Sequence, residues 1–360
     1  MLMFIGGLAL LVVGANLLVR GASRLALSFG ISPLVVGLTI VAFGTSAPEV
    51  AVSVGAVLDG RTDIAVGNVV GSNIFNVLFI LGLSALIAPL VVNIQLIRQE
   101  VPIMLGASLL LLALGLDGRL SFLDGGFLFA LLFVYTAFLI VQSRRESQAA
   151  RDEYAEGAVP SGTGGWDSRL PMQLLLIGVG LAALVFGSEL LVQAAVGFAR
   201  AMGVSDLVIG LTIVAAGTSM PEVATSITAA IKGERDIAVG NVVGSNTFNI
   251  LGCLGLSGLF SGDLGLVLAP SLIAFDIWVM LAVALACLPV FLSGREIARW
   301  EGGLFLAYYI AYAAYLILAA QQHDALPAFS AVMLGFVVPL TIVTLVVVLI
   351  RRPAASASRD

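Results

Sequence analysis

Gly44-Thr45-Ser46-Ala47-Pro48-Glu49 lies inside a long apolar run and is written a second time as Gly217-Thr218-Ser219-Met220-Pro221-Glu222. Each copy sets an ionisable carboxyl directly after a proline, deep in a stretch long enough to cross a bilayer. A carboxyl at that depth is costly and points to function. One such residue could serve as a structural hydrogen-bonder. Two at matched positions, each with Thr and Ser upstream and Pro just before, argue for a shared site.

The surroundings set the fold class. Of 360 residues, 60% are hydrophobic and 11% charged, where a soluble domain carries about 25% charged residues. Such a chain cannot cover a water-facing surface. In lipid, backbone groups must be bonded internally, which leaves helices as the spanning elements here. The sequence is therefore read as an all-α polytopic membrane protein, with the lipid bilayer as its surroundings. The net charge of −5 comes without a basic patch, so nucleic acid is not a partner, and no obligate protein partner is implied. The apolar start lacks a basic n-region and a small-residue cleavage site, and is read as a retained first span. Cys253 and Cys287 fall in different spans and read as single buried thiols, with no metal or disulfide spacing.

Apolar runs of membrane length predict eleven helices, at 2–19, 32–58, 64–88, 99–116, 122–142, 171–192, 204–231, 237–260, 270–292, 303–320 and 326–350. Adding 173 to a residue number in the first half lands on its counterpart in the second. Residues 37–86 and 210–259 align without a gap, with 35 identities in 50 positions. Asp63 to Asn73 recurs intact at 236–246. Further on, after a slip of three to four residues, Glu100 matches Asp276 and Asp124 matches Glu301. Each repeat holds five spans. Five is odd, so the second repeat enters from the opposite side, giving two inverted-topology repeats (5+5) plus one extra C-terminal helix.

The chain divides accordingly. Residues 1–142 form the first repeat, with its core at 36–88. Residues 143–170 form a polar, Gly- and Ser-rich cytoplasmic linker, and 171–320 the second repeat, with its core at 209–261. Residues 321–360 form the additional helix and tail. With the N-terminus on one side, 14 of the 17 Lys and Arg residues fall on the other. The positive-inside bias makes that richer side cytoplasmic. The N-terminus is then outside and the C-terminus is cytoplasmic.

Within the second span, Thr45 and Glu49 are four apart and share a face. Pro48 lacks an N–H and disfavours regular helix before it, so the span should break here and free carbonyls such as those of Ala42 and Thr45. The seventh span repeats this with Ala215, Thr218, Ser219, Pro221 and Glu222. The third span carries Asn68, Ser72 and Asn76 at steps of four, and the eighth Asn241, Ser245 and Asn249. Glycines beside these stripes permit close helix contact. The donors gathered are all oxygen, which suits Ca²⁺, Na⁺ or Mg²⁺ and not Zn²⁺. Two glutamates carry −2, which one Ca²⁺ or two or more Na⁺ would balance. Asn68 and Asn241 could pack or contact a cation. Asn73 and Asn246, one step off the stripe, read as structural. Asp63 and Asp236 read as cap or helix-dipole residues, and Glu100, Asp124, Asp276 and Glu301 as interfacial anchors.

These stretches resemble the two α-repeats of the sodium/calcium exchanger family, within the cation/Ca²⁺ antiporter superfamily, and are most similar to bacterial inner-membrane calcium/sodium antiporters. The resemblance rests on G-T-S-x-P-E and G-S-N-x-x-N in both repeats. It implies a cation site from the Ala42 carbonyl, Thr45, Ser46, Glu49, Ser72 and Asn76 of the first repeat. The second repeat would add the Ala215 carbonyl, Thr218, Ser219, Glu222, Ser245 and Asn249. It further implies Ca²⁺ and Na⁺ in overlapping sites, with the first helices of each repeat sliding against the core. Some members carry Asp where this chain has Asn249, including relatives that co-transport K⁺. That departure weakens K⁺ dependence and leaves two carboxylates. The eleventh helix lies outside the family's ten-helix pattern.

The function expected is a secondary antiporter, not an enzyme, exchanging Na⁺ for Ca²⁺ by alternating access and extruding Ca²⁺. The transported ions are its only ligands, and no cofactor is expected. The alternatives are a Ca²⁺/H⁺ exchanger on the same scaffold, a passive channel, or, remotely, an intramembrane aspartyl protease. The protease would need two Asp where this chain has two Glu after Pro.

Overall fold

The computed structural model describes residues 2–154, 169–202, 215–262 and 265–351. Among these, nine helices are long and apolar enough to cross a membrane, and a bent pair makes a tenth crossing. In the first half the order is α1 (Leu2–Phe29), the bent pair α2 (Pro33–Thr45) and α3 (Ala47–Leu58), α4 (Thr62–Ile87), α5 (Leu96–Leu114) and α6 (Phe122–Tyr154). The second half gives α7 (Leu170–Ala201), α8 (Met220–Ile231), α9 (Arg235–Phe260), α10 (Leu272–Leu292) and α11 (Arg299–Ala320), followed by α12 (Leu326–Val348). The stretch 203–214, which holds the start of the predicted seventh span and of the second core, lies outside the described residues. So do 155–168 of the linker and 352–360 of the tail.

Three predicted boundaries change. α1 runs ten residues past its predicted end, because Arg20 and Arg24 do not interrupt a helix whose long basic side chains can reach the interface. It stops at Gly30, which takes the left-handed φ of +63° that glycine permits. α7 likewise continues to Ala201. At about 1.5 Å per residue these helices exceed the roughly 30 Å of hydrocarbon, so they must tilt or emerge. α6 runs on to Tyr154, into the stretch predicted as linker, since the Arg, Glu, Gln and Ala residues there are good helix formers.

The inversion is visible in how symmetry mates meet. α1 and α7 occupy the same place in the two repeats yet cross antiparallel. Gly7 faces Gly187, Gly14 faces Gly180 and Gly21 faces Gln173, and a Cβ on Gly7 or Gly14 would lie 2.8 Å from the opposing carbonyl. Only small residues allow backbones this close.

The halves also interlock. α4 of the first packs Gly82 against Gly302 of α11, and α9 of the second packs Gly255 and Gly258 against Gly125 and Phe129 of α6. Two short antiparallel strand pairs repeat the exchange. β1 (Leu90–Val91) pairs with β4 (Glu296–Ile297), and β2 (Arg119–Leu120) with β3 (Leu266–Val267). At the centre of this cross lies α9, every residue of its most apolar window buried. The additional helix α12 sits at the rim, where Thr341 accepts a hydrogen bond from Tyr308 of α11 at 2.7 Å.

The acidic pairs of the outer helices split into two kinds. Asp124 accepts from Ser121 N–H at 2.8 Å and its hydroxyl at 2.6 Å, and Glu301 accepts from Ala298 N–H at 2.8 Å; both cap their helices. Glu100 and Asp276, also near span ends, are bonded within the protein. Each lies within its helix and accepts a tyrosine hydroxyl at 2.8 Å, Glu100 from Tyr135 and Asp276 from Tyr312. The lines "acid, then Tyr about 35 residues on" repeat in both halves, fastening α5 to α6 and α10 to α11. Asp63 and Asp236 stand in the first turns of α4 and α9, whose cap positions, Arg61 and Glu234, make no side-chain cap bond. Their helix-dipole role stands and their capping role does not.

Candidate cation site

The bend between α2 and α3 is 42°. It falls at Ser46, whose ψ of 6° leaves the helical range. Ser219, at the matching position, has ψ of 11° and opens α8. Pro48 and Pro221 stand in the first turn of the helix that follows, where the missing N–H costs nothing. The glutamates therefore sit one residue further along, in the first turn of α3 and α8, where the helix dipole favours negative charge.

Both carboxyls are buried, at 1% and 0% exposure, and each is held by the opposite half. Ser219 donates its hydroxyl to Glu49 Oε1 at 2.8 Å, and Ser46 donates to Glu222 Oε1 at 3.1 Å. Exchanging each residue for its counterpart 173 positions away turns one bond into the other. The two carboxyls lie within electrostatic reach of each other. Ser219 also reaches Ser72 Oγ at 3.3 Å, and Ser245 donates to the Ala42 carbonyl at 3.5 Å. Asn68 donates to the Glu49 carbonyl at 3.3 Å and to Ser53 at 3.0 Å, while Asn241 donates to the Glu222 carbonyl at 3.5 Å and to Ser226 at 2.9 Å. These stripe residues brace the backbone that carries each glutamate.

One turn along from Ser72 and Ser245 stand Asn76 and Asn249. Each begins a π-helical segment, Asn76–Leu81 and Asn249–Leu254, the kind of local widening that often accompanies function. Asn76 Nδ2 donates to Asn246 Oδ1 at 2.9 Å, and Asn249 Nδ2 donates to Asn73 Oδ1 at 3.1 Å.

A pattern of unpartnered oxygens results. Glu49 Oε2, Glu222 Oε2, Asn76 Oδ1 and Asn249 Oδ1 are buried with no hydrogen-bond partner, and so is Thr218 Oγ1. A buried acceptor left unmet costs about 1–3 kcal/mol, more when charged. Four symmetry-matched oxygens in this condition, with two carboxylates among them, form a donor set suited to a hard cation. Among the described residues no group of three His, Cys, Asp or Glu gathers anywhere, so two acids with neutral oxygens are what this set offers.

Ten of the twelve residues expected at the site take part in these contacts or are buried here, and an eleventh, Thr45, donates to Asn241 Oδ1 at 3.0 Å. The twelfth, Ala215, opens the short helix Ala215–Gly217. The Ala42 carbonyl is not freed as expected. It keeps its helical bond from Ser46 N–H at 3.1 Å, because the bend comes at Ser46 rather than before it. Asn73 and Asn246, read as structural, bridge the two repeats, while Ser53 and Ser226 are supports that the sequence reading misses. Ser53 and Ser226 are identical in the repeats and four residues beyond each glutamate, which was a readable signal.

Ten membrane crossings among the described residues, inverted halves and a pair of buried carboxyls held across those halves fit an ion antiporter. The model of the sodium/calcium exchanger protein family matches residues 1–141 and 172–318. The chain is 38% identical over 262 residues to the inner membrane protein YrbG of Escherichia coli, covering 72% of this chain and 79% of that one. To the sodium/calcium exchanger MaX1 of Methanosarcina acetivorans it is 34% identical over 337 residues, covering 85% and 95%. Its fold matches the sodium-calcium exchanger NCX_Mj with a TM-score of 0.73 at 33% identity, over 87% of this chain and 97% of that one. The chain belongs to the sodium/calcium exchanger family. It is a multi-pass membrane antiporter, and its relatives are transporters, not enzymes.

Proposed function

We propose that this protein exchanges Na⁺ for Ca²⁺ across the cytoplasmic membrane, extruding Ca²⁺ on inward Na⁺, with Glu49 and Glu222 as ligands common to both ions. The observation that carries this reading is the crossed pair of serine–glutamate bonds. Each carboxylate has one oxygen held by the other half and one left for an ion. Thr45, Ser46, Thr218, Ser219, Ser72, Asn76, Ser245 and Asn249, with the Ala42 and Ala215 carbonyls, would complete the shell.

Charge explains why such a site exchanges instead of leaking. Two buried carboxylates without a counter-ion cost several kcal/mol each. The site crosses the membrane loaded with one Ca²⁺ or with Na⁺, and not when ionised and bare. Support for the cytoplasmic membrane comes from the 14-to-3 distribution of basic residues, which also sets the N-terminus outside, and from the inner-membrane relative. No cofactor enters the cycle.

The test is Ca²⁺ uptake into proteoliposomes driven by an imposed Na⁺ gradient. Glu49→Gln and Glu222→Gln should each reduce it at least about hundredfold, in line with the several kcal/mol at stake for a buried charge. Near-normal uptake in both would remove the site assignment. Protons could also bind the unpartnered oxygens, so a pH gradient imposed without Na⁺ is the second arm. Uptake of comparable rate in that arm would make the coupling ion H⁺.

A further inference from the structure

Asn73 and Asn246 lie outside the proposed ligand set, yet they meet on the pseudo-two-fold axis between α4 and α9. Both are 2% exposed. Asn73 Nδ2 donates to the Asn246 main-chain carbonyl at 3.2 Å, and Asn246 Nδ2 donates to the Asn73 carbonyl at 3.1 Å. A main-chain carbonyl only accepts, so each of these side chains must present its nitrogen to it. The oxygens are thereby turned the other way. Asn73 Oδ1 faces Asn249 and Asn246 Oδ1 faces Asn76, at 3.1 and 2.9 Å.

An oxygen facing a side-chain amide demands its nitrogen. Asn249 and Asn76 must therefore donate Nδ2, and their own oxygens are left over, buried and unpartnered. Two backbone carbonyls thus dictate, through two relays, which end of each amide is left for an ion. We infer that Asn73 and Asn246 are positioning residues for transport: they fix the amide orientation of Asn249 and Asn76 so that both present oxygen, never nitrogen, to the cation. An amide turned the other way would present two N–H donors to a positive ion, a repulsive contact. The relay crosses between repeats both times, so each half sets the ligand of the other.

This inference rests on the proposed cation site, and the experiment separates the two. Half-saturating Ca²⁺ and maximal rate are measured for Na⁺-driven uptake, beside the Ca²⁺-induced thermal shift of the purified protein, which reads binding without transport. Asn73→Leu and Asn246→Leu should each raise half-saturating Ca²⁺ about 10- to 100-fold, the usual effect of removing a residue that orients a metal ligand. Maximal rate should change by less than about threefold.

The rescue is made at the ligand. In an Asn249→Asp background the two side-chain oxygens are equivalent and no orienting bond is needed, so adding Asn73→Leu should change half-saturating Ca²⁺ by less than about threefold. A purely structural role would carry the full loss of Asn73→Leu into that background. If the leucine variants do not elute as folded protein, Asn73→Ser and Asn246→Ser, too short to bridge, take their place with the same expected rise. Folded variants with unchanged half-saturating Ca²⁺ overturn the inference, as does an Asn73→Leu loss of full size in the Asn249→Asp background. If Glu49→Gln and Glu222→Gln also keep Ca²⁺ binding, the site itself is wrong. If they lose it while the asparagine variants do not, only the relay is.

Discussion

The two halves of the site share their residues but not their engagements. In the first, Thr45 donates to Asn241 Oδ1 at 3.0 Å and lies within 3.1 Å of the Val41 carbonyl. In the second, Thr218 makes no matching bond to Asn68, the counterpart of Asn241, and stands beside Glu49 instead. At the break itself, Ser188 of α7 donates to the Gly217 carbonyl at 2.6 Å, while its counterpart on α1 is Ala15, which has nothing to donate to Gly44. Duplicated sequence therefore does not mean duplicated state. The glutamates and their serines are mirrored, and the threonines around them hold two different local arrangements. An inverted-repeat transporter alternates access by letting its halves exchange such arrangements about a fixed centre.

That contrast can be attacked in order of expected effect. Ser219 serves both Glu49 and Ser72, whereas Ser46 serves Glu222 alone. Hydrogen bonds to a charged group are worth about 1.5–3 kcal/mol, roughly 10- to 100-fold. Ser219→Ala should weaken Ca²⁺ half-saturation towards the upper end of that range and Ser46→Ala towards the lower. Equal losses in the uptake assay would break the asymmetry at the carboxylates.

The threonines should separate by the kind of loss they cause. Thr45→Val removes a made bond and should lower unfolding stability by about 1 kcal/mol, read as a fall in apparent melting temperature without Ca²⁺. Thr218→Val removes an unpartnered hydroxyl and should leave that temperature unchanged while weakening Ca²⁺ binding a few-fold. The reverse assignment would show that the second half is the engaged one. The smallest effect belongs to Ser188→Ala. It deletes one neutral hydrogen bond at the break, worth about 0.5–1.5 kcal/mol, and should shift the ratio of apparent Ca²⁺ affinities on the two membrane faces by about two- to tenfold. A ratio that does not move would detach α7 from the second break.

Much of this was written in the sequence because it is local or periodic. The proline after Thr-Ser gives a break near mid-span, the stripe at steps of four gives a shared face, and the offset of 173 gives the symmetry. What escaped depends on partners far along the chain or on a single dihedral. The Ala42 carbonyl reads as free if the helix breaks before Ser46, and as bonded if it bends at Ser46; one residue decides. Asn73 looks incidental beside Ser72 and Asn76 until α9 brings Asn246 against it. Arg20 and Arg24 look like a boundary, although basic side chains on a tilted helix need not end it. Glu100 resembles an anchor until Tyr135, 35 positions later, claims it inside the protein.

The glycine crossings of α4 with α11 and of α9 with α6 carry a consequence for biogenesis. Each repeat keeps its own close-packing surface for the last helix of its twin. During synthesis the first five helices must wait in the bilayer with that surface bare until the tenth arrives. A five-helix fragment made alone should therefore be a target for quality-control proteolysis, whereas two fragments produced together have every contact needed to find one another.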